Sequence, residues 1–380
     1  MNIKNNVFET IILSILFFIS PKFAKFLKFK YTLRLANQGH LDAKTKLGVL
    51  YEVGEGVEQN YEKALEYYNQ AASQGDTNAQ TNLAVMYQDG RGVAHSDEKA
   101  LEYYNQAATQ GDANAKNNLG VMYQNGQGVV QNNEKALEYY NQAAAQGSPD
   151  AQANLGVMYH NGKGVVQNYE KALEYYNQAV AQGSPDAQAN LGVMYHYGQG
   201  VTQSYKKAFK WYRKAAIQGH IKAHANLAWL YYHGYGVSQS HVKAVELYKM
   251  AATHGNIESQ NGLGVMYVTG HGIVQNYEKA FEWFSKAASQ ENVAAQNNLG
   301  LMYYKGLYVT QNYEKAFEWF SKAALQGDAD AQNNLGVLYR DGQGVVQNYE
   351  KAFEWFSKAA AQGFITAKNH IEEMHEKGQL

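Results

Sequence analysis

The chain has 380 residues with a formal net charge of −1, 31 tyrosines, three prolines and no cysteine. A net charge near zero excludes binding of nucleic acid or another polyanion through bulk electrostatics, so a charged partner has to be met by a local patch. The lack of cysteine excludes disulfides, thiolate metal sites and cysteine nucleophiles.

The N-terminal residues 1–23 form an apolar segment, and its centre, Ile11 to Ser20, has no charged side chain. This stretch is short for a membrane span, which needs about 20 residues, and no small-x-small cleavage motif follows it. Three interpretations remain open: an uncleaved signal or short anchor, a cleaved signal, and an apolar first helix that packs on the rest of the chain. The segment indicates possible membrane association, and it favours a membrane-associated or exported location over a cytoplasmic one.

A repeating pattern begins after a degenerate half repeat that we predict for residues 24–42. Nine units of 36 residues follow one another without an insertion, from residue 43 to residue 366. Each unit has Leu at position 5 and Tyr at position 9, as in Leu47 and Tyr51, and all but one have Ala at position 1. Residues four apart share a helical face, so the first half of each unit is predicted to be a helix. Position 6 is Gly or Ala, which indicates that another helix packs closely there.

The second half of each unit is also predicted to be a helix. A Gly-x-Gly-Val loop such as Gly90 to Val93 precedes it, and an Asn or Ser such as Ser96 is a good N-cap for it. Its apolar positions form a broad helical stripe, and a Gln-Gly pair such as Gln110 and Gly111 ends it. With no strand before the Gly-x-Gly, the loop is not a nucleotide-binding motif.

Each unit is therefore predicted to be a helical hairpin that cannot bury its apolar face alone. Stacked copies bury these faces together, so the fold class is all-α, an α/α superhelical solenoid of tandem 36-residue hairpins. Residues 367–380 are predicted to be a C-terminal capping half repeat. Glu372 and His375 stand there at the Gly and Tyr positions and give the polar outer face that a terminal cap needs.

The run from Ala151 to Gly183, AQANLGVMYHNGKGVVQNYEKALEYYNQAVAQG, closely resembles the Sel1-like repeat, a relative of the tetratricopeptide repeat. The resemblance extends over residues 43–366 and implies a right-handed superhelix whose concave surface is lined mainly by first helices. It also implies a non-enzymatic scaffold or adaptor that binds other proteins without a cofactor, as bacterial members do in envelope processes, signalling or host contact. Two departures, Glu291 and Tyr308 at glycine positions, predict less regular loops in units seven and eight.

Three motifs resemble catalytic or metal sites. Ser204-x-x-Lys207 matches the S-x-x-K of penicillin-binding proteins, but Asn replaces Ser in other units, which favours an N-cap. His220 and His224 have a spacing that suits a metal, but no carboxylate belongs to the pair, so solvated histidines are favoured. Glu pairs at positions 20 and 24 recur along an exposed helical face and indicate solvated charge. No catalytic, cofactor-binding or metal-binding residue is therefore predicted.

Unit five, residues 187–222, differs from the other units because it has a formal charge of +6 and no Asp or Glu. Four of its basic residues are spaced to line the outer side of one helix beside Trp211, and units five and six hold half of the histidines. Duplication history explains such divergence, and so does a specific contact with an acidic partner through charge and Arg or Trp hot spots. The predicted partner-binding residues are Lys206, Lys207, Lys210, Trp211, Arg213, Lys214, His196, His220, His224, Tyr232 and His233.

The predicted partners are one or more proteins, with an acidic protein among the alternatives, and not nucleic acid. Two other function classes are kept as alternatives. One is a penicillin-interacting envelope hydrolase, and the other is a lipid- or glycan-binding module.

Overall fold

The computed structural model describes residues 20–379, which contain 20 helices and no strands. In chain order the helices are α1 (Pro21–Asn37), α2 (Leu41–Val53), α3 (Tyr61–Ala72), α4 (Thr77–Asp89), α5 (Asp97–Thr109), α6 (Ala113–Asn125), α7 (Asn133–Ala145), α8 (Pro149–Asn161), α9 (Tyr169–Ala181), α10 (Pro185–Tyr197), α11 (Tyr205–Ile217), α12 (Ile221–His233), α13 (His241–Thr253), α14 (Ile257–Thr269), α15 (Tyr277–Ala288), α16 (Val293–Lys305), α17 (Tyr313–Leu325), α18 (Ala329–Asp341), α19 (Tyr349–Ala361) and α20 (Ile365–Glu376).

The ends of these helices follow from the predicted caps. Helix α2 ends at Gly54, whose φ of 71° lies in the left-handed region that glycine adopts without strain. Helix α3 begins after Asn60, whose side chain accepts a hydrogen bond of 2.8 Å from the Lys63 N–H. The Asn60 N–H in turn donates to the Tyr51 carbonyl at 2.9 Å, which ties the second helix of the hairpin to the first.

The packing of the hairpins confirms the predicted all-α array. The chain divides into two compact units, one up to Ala187 and one from Gln188. In the first, Leu119 is fully buried in the same cluster as the equally buried ring of Tyr104. In the second, Phe replaces this buried Tyr in the last three repeats, as at Phe284. Each hairpin therefore contributes one large ring and one Leu to the core.

The glycine at position 6 lies where a ring of the second helix packs against the first. A Cβ built on Gly48 would lie 2.5 Å from the Tyr68 ring, and one on Gly264 would lie 2.5 Å from the Phe284 ring. The close approach predicted from this glycine is therefore confirmed. The same column holds Ala84 in the second repeat.

The loops of units seven and eight are as regular as the others, so the prediction of irregular loops was wrong. Glu291 and Tyr308 have φ values of 63° and 68°, in the left-handed region of the glycines they replace. The Asn292 N–H still donates to the Ala287 carbonyl at 3.1 Å, as the Asp328 N–H does to the Ala323 carbonyl at 3.2 Å. The surrounding hairpin fixes the loop backbone strongly enough to hold non-glycine residues there.

The two ends of the described chain are helical. Helix α1 begins at Pro21 and packs on α2, while α20 packs on α19 through Ala367 and Met374. Residues 1–19 of the apolar segment predicted for residues 1–23 lie outside the described residues. Within residues 20–379, no helix combines the length and the apolar character needed to cross a membrane.

Candidate functional site

Helix α11 carries the basic residues predicted to bind a partner. Lys206, Lys210 and Arg213 are all exposed. The columns of Lys206 and Lys210 contain Glu in most other repeats, and the column of Arg213 contains Asn in repeats one to four. No Asp or Glu occurs anywhere between Asp186 and Glu246. Where the second helices of most other repeats carry an acidic stripe, α11 therefore carries a basic one.

Two further basic residues of α11 make contacts that recur in other repeats. The Lys207 Nζ lies 5.0 Å from the centre of the Tyr195 ring, and the same cation–π pair joins Lys63 to Tyr51 at 5.3 Å. The Lys214 Nζ lies 4.4 Å from the Trp211 ring. Lys207, Lys214 and Trp211 thus pack as their counterparts do in repeats without a basic stripe, and Lys206, Lys210 and Arg213 are the residues that distinguish α11.

A groove of about 570 Å³ lies between α11, α12 and α13. Its apolar residues include Ile217, which is 76% exposed, and Met250, which is 51% exposed. Leu247 also lines it, at a column occupied by Tyr or Trp in every other repeat. Because Leu is smaller than these rings, the space that they fill elsewhere is open here. We call this feature the α11–α13 groove.

Polar residues border the α11–α13 groove, and two of them were predicted from the sequence. Arg213 lines it from α11 and His224 from α12, together with Lys243 and Glu246 of α13. The basic helix and the groove are therefore continuous at Arg213. A ligand in this groove would meet an apolar floor with mostly basic edges.

The two histidines considered as a metal pair have local structural contacts instead. The His220 Nδ1 accepts a hydrogen bond of 3.0 Å from the Ala223 N–H and caps α12. The His224 Nδ1 lies 3.0 Å from the His220 carbonyl oxygen. Within residues 20–379, no three His, Cys, Asp or Glu side chains are grouped so that they could hold a metal ion.

A second cluster of rings lies where α10 and α12 end and α11 begins. The His196 ring centre is 4.4 Å from that of Tyr197, 4.8 Å from that of Trp229 and 5.3 Å from that of Tyr205. The Tyr235 ring stacks on Tyr205 at 4.9 Å. The members, which we call the aromatic patch, are His196, Tyr197, Tyr205, Trp229, His233 and Tyr235.

The two histidines of the aromatic patch have a lowered pKa because burial disfavours the charged imidazolium. His196 is 7% exposed and its Nδ1 lies 3.4 Å from the hydroxyl oxygen of Tyr212. His233 packs edge-on against Tyr232, whose ring centre is 5.0 Å away. Tyr232 thus borders the patch and connects it with His241 at 5.1 Å.

Sequence reasoning found part of this cluster and missed the rest. His196 and His233 of the patch and the bordering Tyr232 were predicted, but Tyr197, Tyr205, Trp229 and Tyr235 were not. Trp229 stands at a column that otherwise holds Val or Leu, and Tyr235 at one that holds no other Tyr, Phe or Trp. Comparing the columns at positions 7 and 13 of each repeat would have found both.

The serines of the S-x-x-K motif are N-caps. The Ser204 Oγ accepts a hydrogen bond from the Lys207 N–H at 3.3 Å, and the Ser240 Oγ accepts one from the Lys243 N–H at 3.4 Å. These lysines contribute their backbone N–H groups, while the Lys207 Nζ lies over a tyrosine ring. Asn60 makes the same cap in the first repeat.

The Sel1 repeat family model matches nine consecutive segments, and each contains one hairpin. The segments are residues 41–76, 77–112, 113–148, 149–184, 185–220, 221–256, 257–292, 293–328 and 329–364. The chain belongs to the Sel1 repeat family. Proteins of this family are typically non-enzymatic scaffolds for protein–protein interactions, and this Sel1 array has the family's hairpin throughout.

Two solved structures are similar to the Sel1 array over most of their length. One is c5321, described as a protective antigen present in uropathogenic Escherichia coli strains and displaying an SLR fold. It is 32% identical, with 92% of this chain and 83% of that chain covered and a TM-score of 0.57. The other is a Sel1 repeat protein from Oxalobacter formigenes, 31% identical, with 82% and 90% covered and a TM-score of 0.54. No curated protein matches the chain.

Proposed function

We propose that this Sel1 array is a non-enzymatic scaffold that binds an acidic partner protein through α11 and the α11–α13 groove. The observation that carries the proposal is the groove itself, which is open because Leu247 replaces a large ring. We further propose a bacterial role in envelope, signalling or host-contact processes. The similarity to c5321, a protective antigen of a pathogenic bacterium, supports that role.

Electrostatics support an acidic partner. Lys206, Lys210 and Arg213 extend along the exposed side of α11, and no acidic side chain occurs between Asp186 and Glu246 in the sequence. A basic surface of this kind speeds association with an acidic partner and disfavours basic ones. The same positions are acidic or neutral in the first four repeats, so those repeats do not offer an equivalent surface.

The groove supplies the apolar part of the contact. Ile217 and Met250 remain largely exposed beside it, and an apolar side chain of a partner placed there would remove both from water. Exposed apolar residues rimmed by polar ones are typical of protein interaction sites. Arg213 at the edge is suited to pair with a carboxylate through two parallel hydrogen bonds.

The repeats themselves provide variants that test this surface without disturbing the fold. Leu247→Trp with Met250→Lys fills the groove with the Trp–Lys pair that Trp283 and Lys286 form in repeat seven, where the Nζ lies 4.5 Å from the ring. Lys206→Glu, Lys210→Glu and Arg213→Asn give α11 the residues of repeats one to four at those columns. As a control, Glu134→Lys with Glu138→Lys makes α7 more basic.

The experiment is cross-linking of partners in cells, followed by direct binding of the purified partner. We expect one protein to be bound by the native chain and the α7 control, and to be lost from both test variants. We also expect its affinity to fall as salt is raised, because exposed charges are screened. A set of partners that is the same for the native chain and both test variants would contradict the proposal.

A further inference from the structure

Two rings of the aromatic patch, Trp229 and Tyr235, have no counterpart in the other repeats and are not required by the hairpin. Trp229 replaces the Val or Leu found at its column in every other repeat, and those repeats form the same hairpin. Tyr235 occupies a column with Gln in three repeats. Two rings of the patch are exposed to water, with Tyr197 65% and Tyr235 42% accessible. Exposure of such large, mostly apolar rings is unfavourable. Large rings without a counterpart in the other repeats, gathered on one surface, indicate a binding site.

The rings of the patch are held in place by one another. Trp229 contacts His196 at 4.8 Å, His233 at 4.5 Å and Tyr235 at 5.3 Å between ring centres. Tyr235 is also stacked on Tyr205, within 17° of parallel. A ligand would therefore meet a surface that is already ordered, and binding would cost little side-chain entropy.

The patch lies on a different face of α12 from the α11–α13 groove. His224, Leu227 and Tyr231 line the groove at three- and four-residue spacing, while Trp229 and His233 point to another side of the helix. Substitutions at Trp229 and at Leu247 therefore change two separate surfaces of the same repeats.

The patch is next to the beginning of the basic helix. The loop after α12 passes so close to α11 that a Cβ on Gly236 would lie 2.4 Å from the Tyr205 carbonyl carbon and 2.5 Å from the Lys206 nitrogen. Lys206 is exposed at this point. A ligand on the rings would thus have a lysine at one edge and no nearby carboxylate along this part of the sequence.

The polar groups of the patch include several hydrogen-bond donors. The phenol groups and the indole N–H can donate hydrogen bonds, and no carboxylate or amide side chain belongs to the patch. A matching ligand presents C–H faces to the rings and carbonyl oxygens to these donors. Proline-rich segments have this chemistry, because proline lacks an N–H and the polyproline II helix leaves its carbonyls free.

We propose that the aromatic patch binds a proline-rich segment in the polyproline II conformation, with acidic residues beside the prolines, carried by a partner protein. This inference rests on the proposed function as a protein-binding scaffold and names the class of peptide that one surface takes. Aromatic grooves recognise such segments in other proteins because the polyproline II helix is preformed and loses little entropy. We expect acidic residues beside the prolines because Lys206 and the basic surface of α11 attract negative charge.

The test uses the full chain and an array of synthetic proline-rich peptides with acidic, neutral or basic flanks. Scrambled peptides of equal composition without adjacent prolines are the reference. We expect binding to acidic-flanked peptides, and a loss of about tenfold or more in Trp229→Val with Tyr235→Gln, since Trp and Tyr dominate binding energy. Both substitutions restore residues found at these columns in other repeats.

Two controls separate this inference from the proposed function. The groove-filling variant Leu247→Trp with Met250→Lys should bind the peptides like the native chain, and a loss there would assign the peptides to the groove instead. No binding to any peptide of the array, or equal binding by the patch variant, would overturn the inference while leaving the cross-linking result intact. An additional glycan array is included, and binding of neutral oligosaccharides without peptide binding would also overturn it.

Discussion

Single residues carry measurable strain in the loops of the array. Glu291 has a φ of 63°, where an L-residue is disfavoured by roughly 1–2 kcal/mol and glycine is not. Glycine loses more backbone entropy on folding, which offsets about 0.5–1 kcal/mol of that gain. We therefore expect Glu291→Gly to raise the free energy of unfolding by about 0.5–1 kcal/mol, measured as a higher midpoint in urea.

The matched control lies one repeat further along the chain. Gly327 occupies the same column with a φ of 94°, and a Cβ built on it would meet no atom within 4 Å. Gly327→Ala should therefore lower the urea midpoint through backbone conformation alone. If Glu291→Gly lowered the midpoint and Gly327→Ala left it unchanged, the left-handed geometry of this loop would be disproved.

Single residues in the loops also show where prediction from the sequence failed. The glycine columns predicted left-handed loops, and they predicted irregular loops where Glu291 and Tyr308 stand. The second prediction failed because a backbone preference of about 1–2 kcal/mol is overridden by the hairpin on either side. Tyr308 also gains a hydrogen bond there, since its hydroxyl donates to Glu278 at 3.2 Å.

Helix caps decide where each element begins, and Ser204 provides a test. Its Oγ accepts the Lys207 N–H, so Ser204→Ala should lower the free energy of unfolding by about 1 kcal/mol. Ser204→Asn should retain the stability, because Asn168 caps the preceding second helix through the Lys171 N–H at 2.9 Å. Urea unfolding measures both.

A nucleophilic role for Ser204 would give a different result. We expect mass spectrometry to find no penicillin attached to the native chain, to Ser204→Ala or to Ser204→Asn. A covalent adduct that disappears in both variants would instead support a penicillin-reactive serine.

The elements were predictable from the sequence to a greater extent than the site. Periodicity and caps were enough for the hairpins, because the same local signals occur in every repeat. The α11–α13 groove depends on whether neighbouring helices close the space left by Leu247, which is a property of tertiary packing. The aromatic patch joins residues as far apart as His196 and Tyr235, and only the 36-residue register places them together.

At the scale of the whole molecule, acid should weaken the unit that begins at Gln188. Burial lowers the pKa of His196, His233 and His370, all in this unit, below the value of about 6.5 expected for an unfolded chain. The unfolded state therefore binds more protons as the pH falls below 6.5. The stability that these neutral histidines contribute is fully present above that pH and is lost as the pH drops through their folded values.

The prediction is a free energy of unfolding that is smaller at pH 5.5 than at pH 7.5, with a shallower decline in His196→Gln. Glutamine suits this column because the Gln88 Oε1 accepts the Tyr104 hydroxyl at 3.1 Å and the Gln124 Oε1 accepts that of Tyr140 at 2.7 Å. Urea unfolding at several pH values measures the slope, and equal slopes for the two proteins would contradict the role of His196. Because each repeat is stabilised by its neighbours, protonation of one buried imidazole should lower the stability of the adjoining repeats as well.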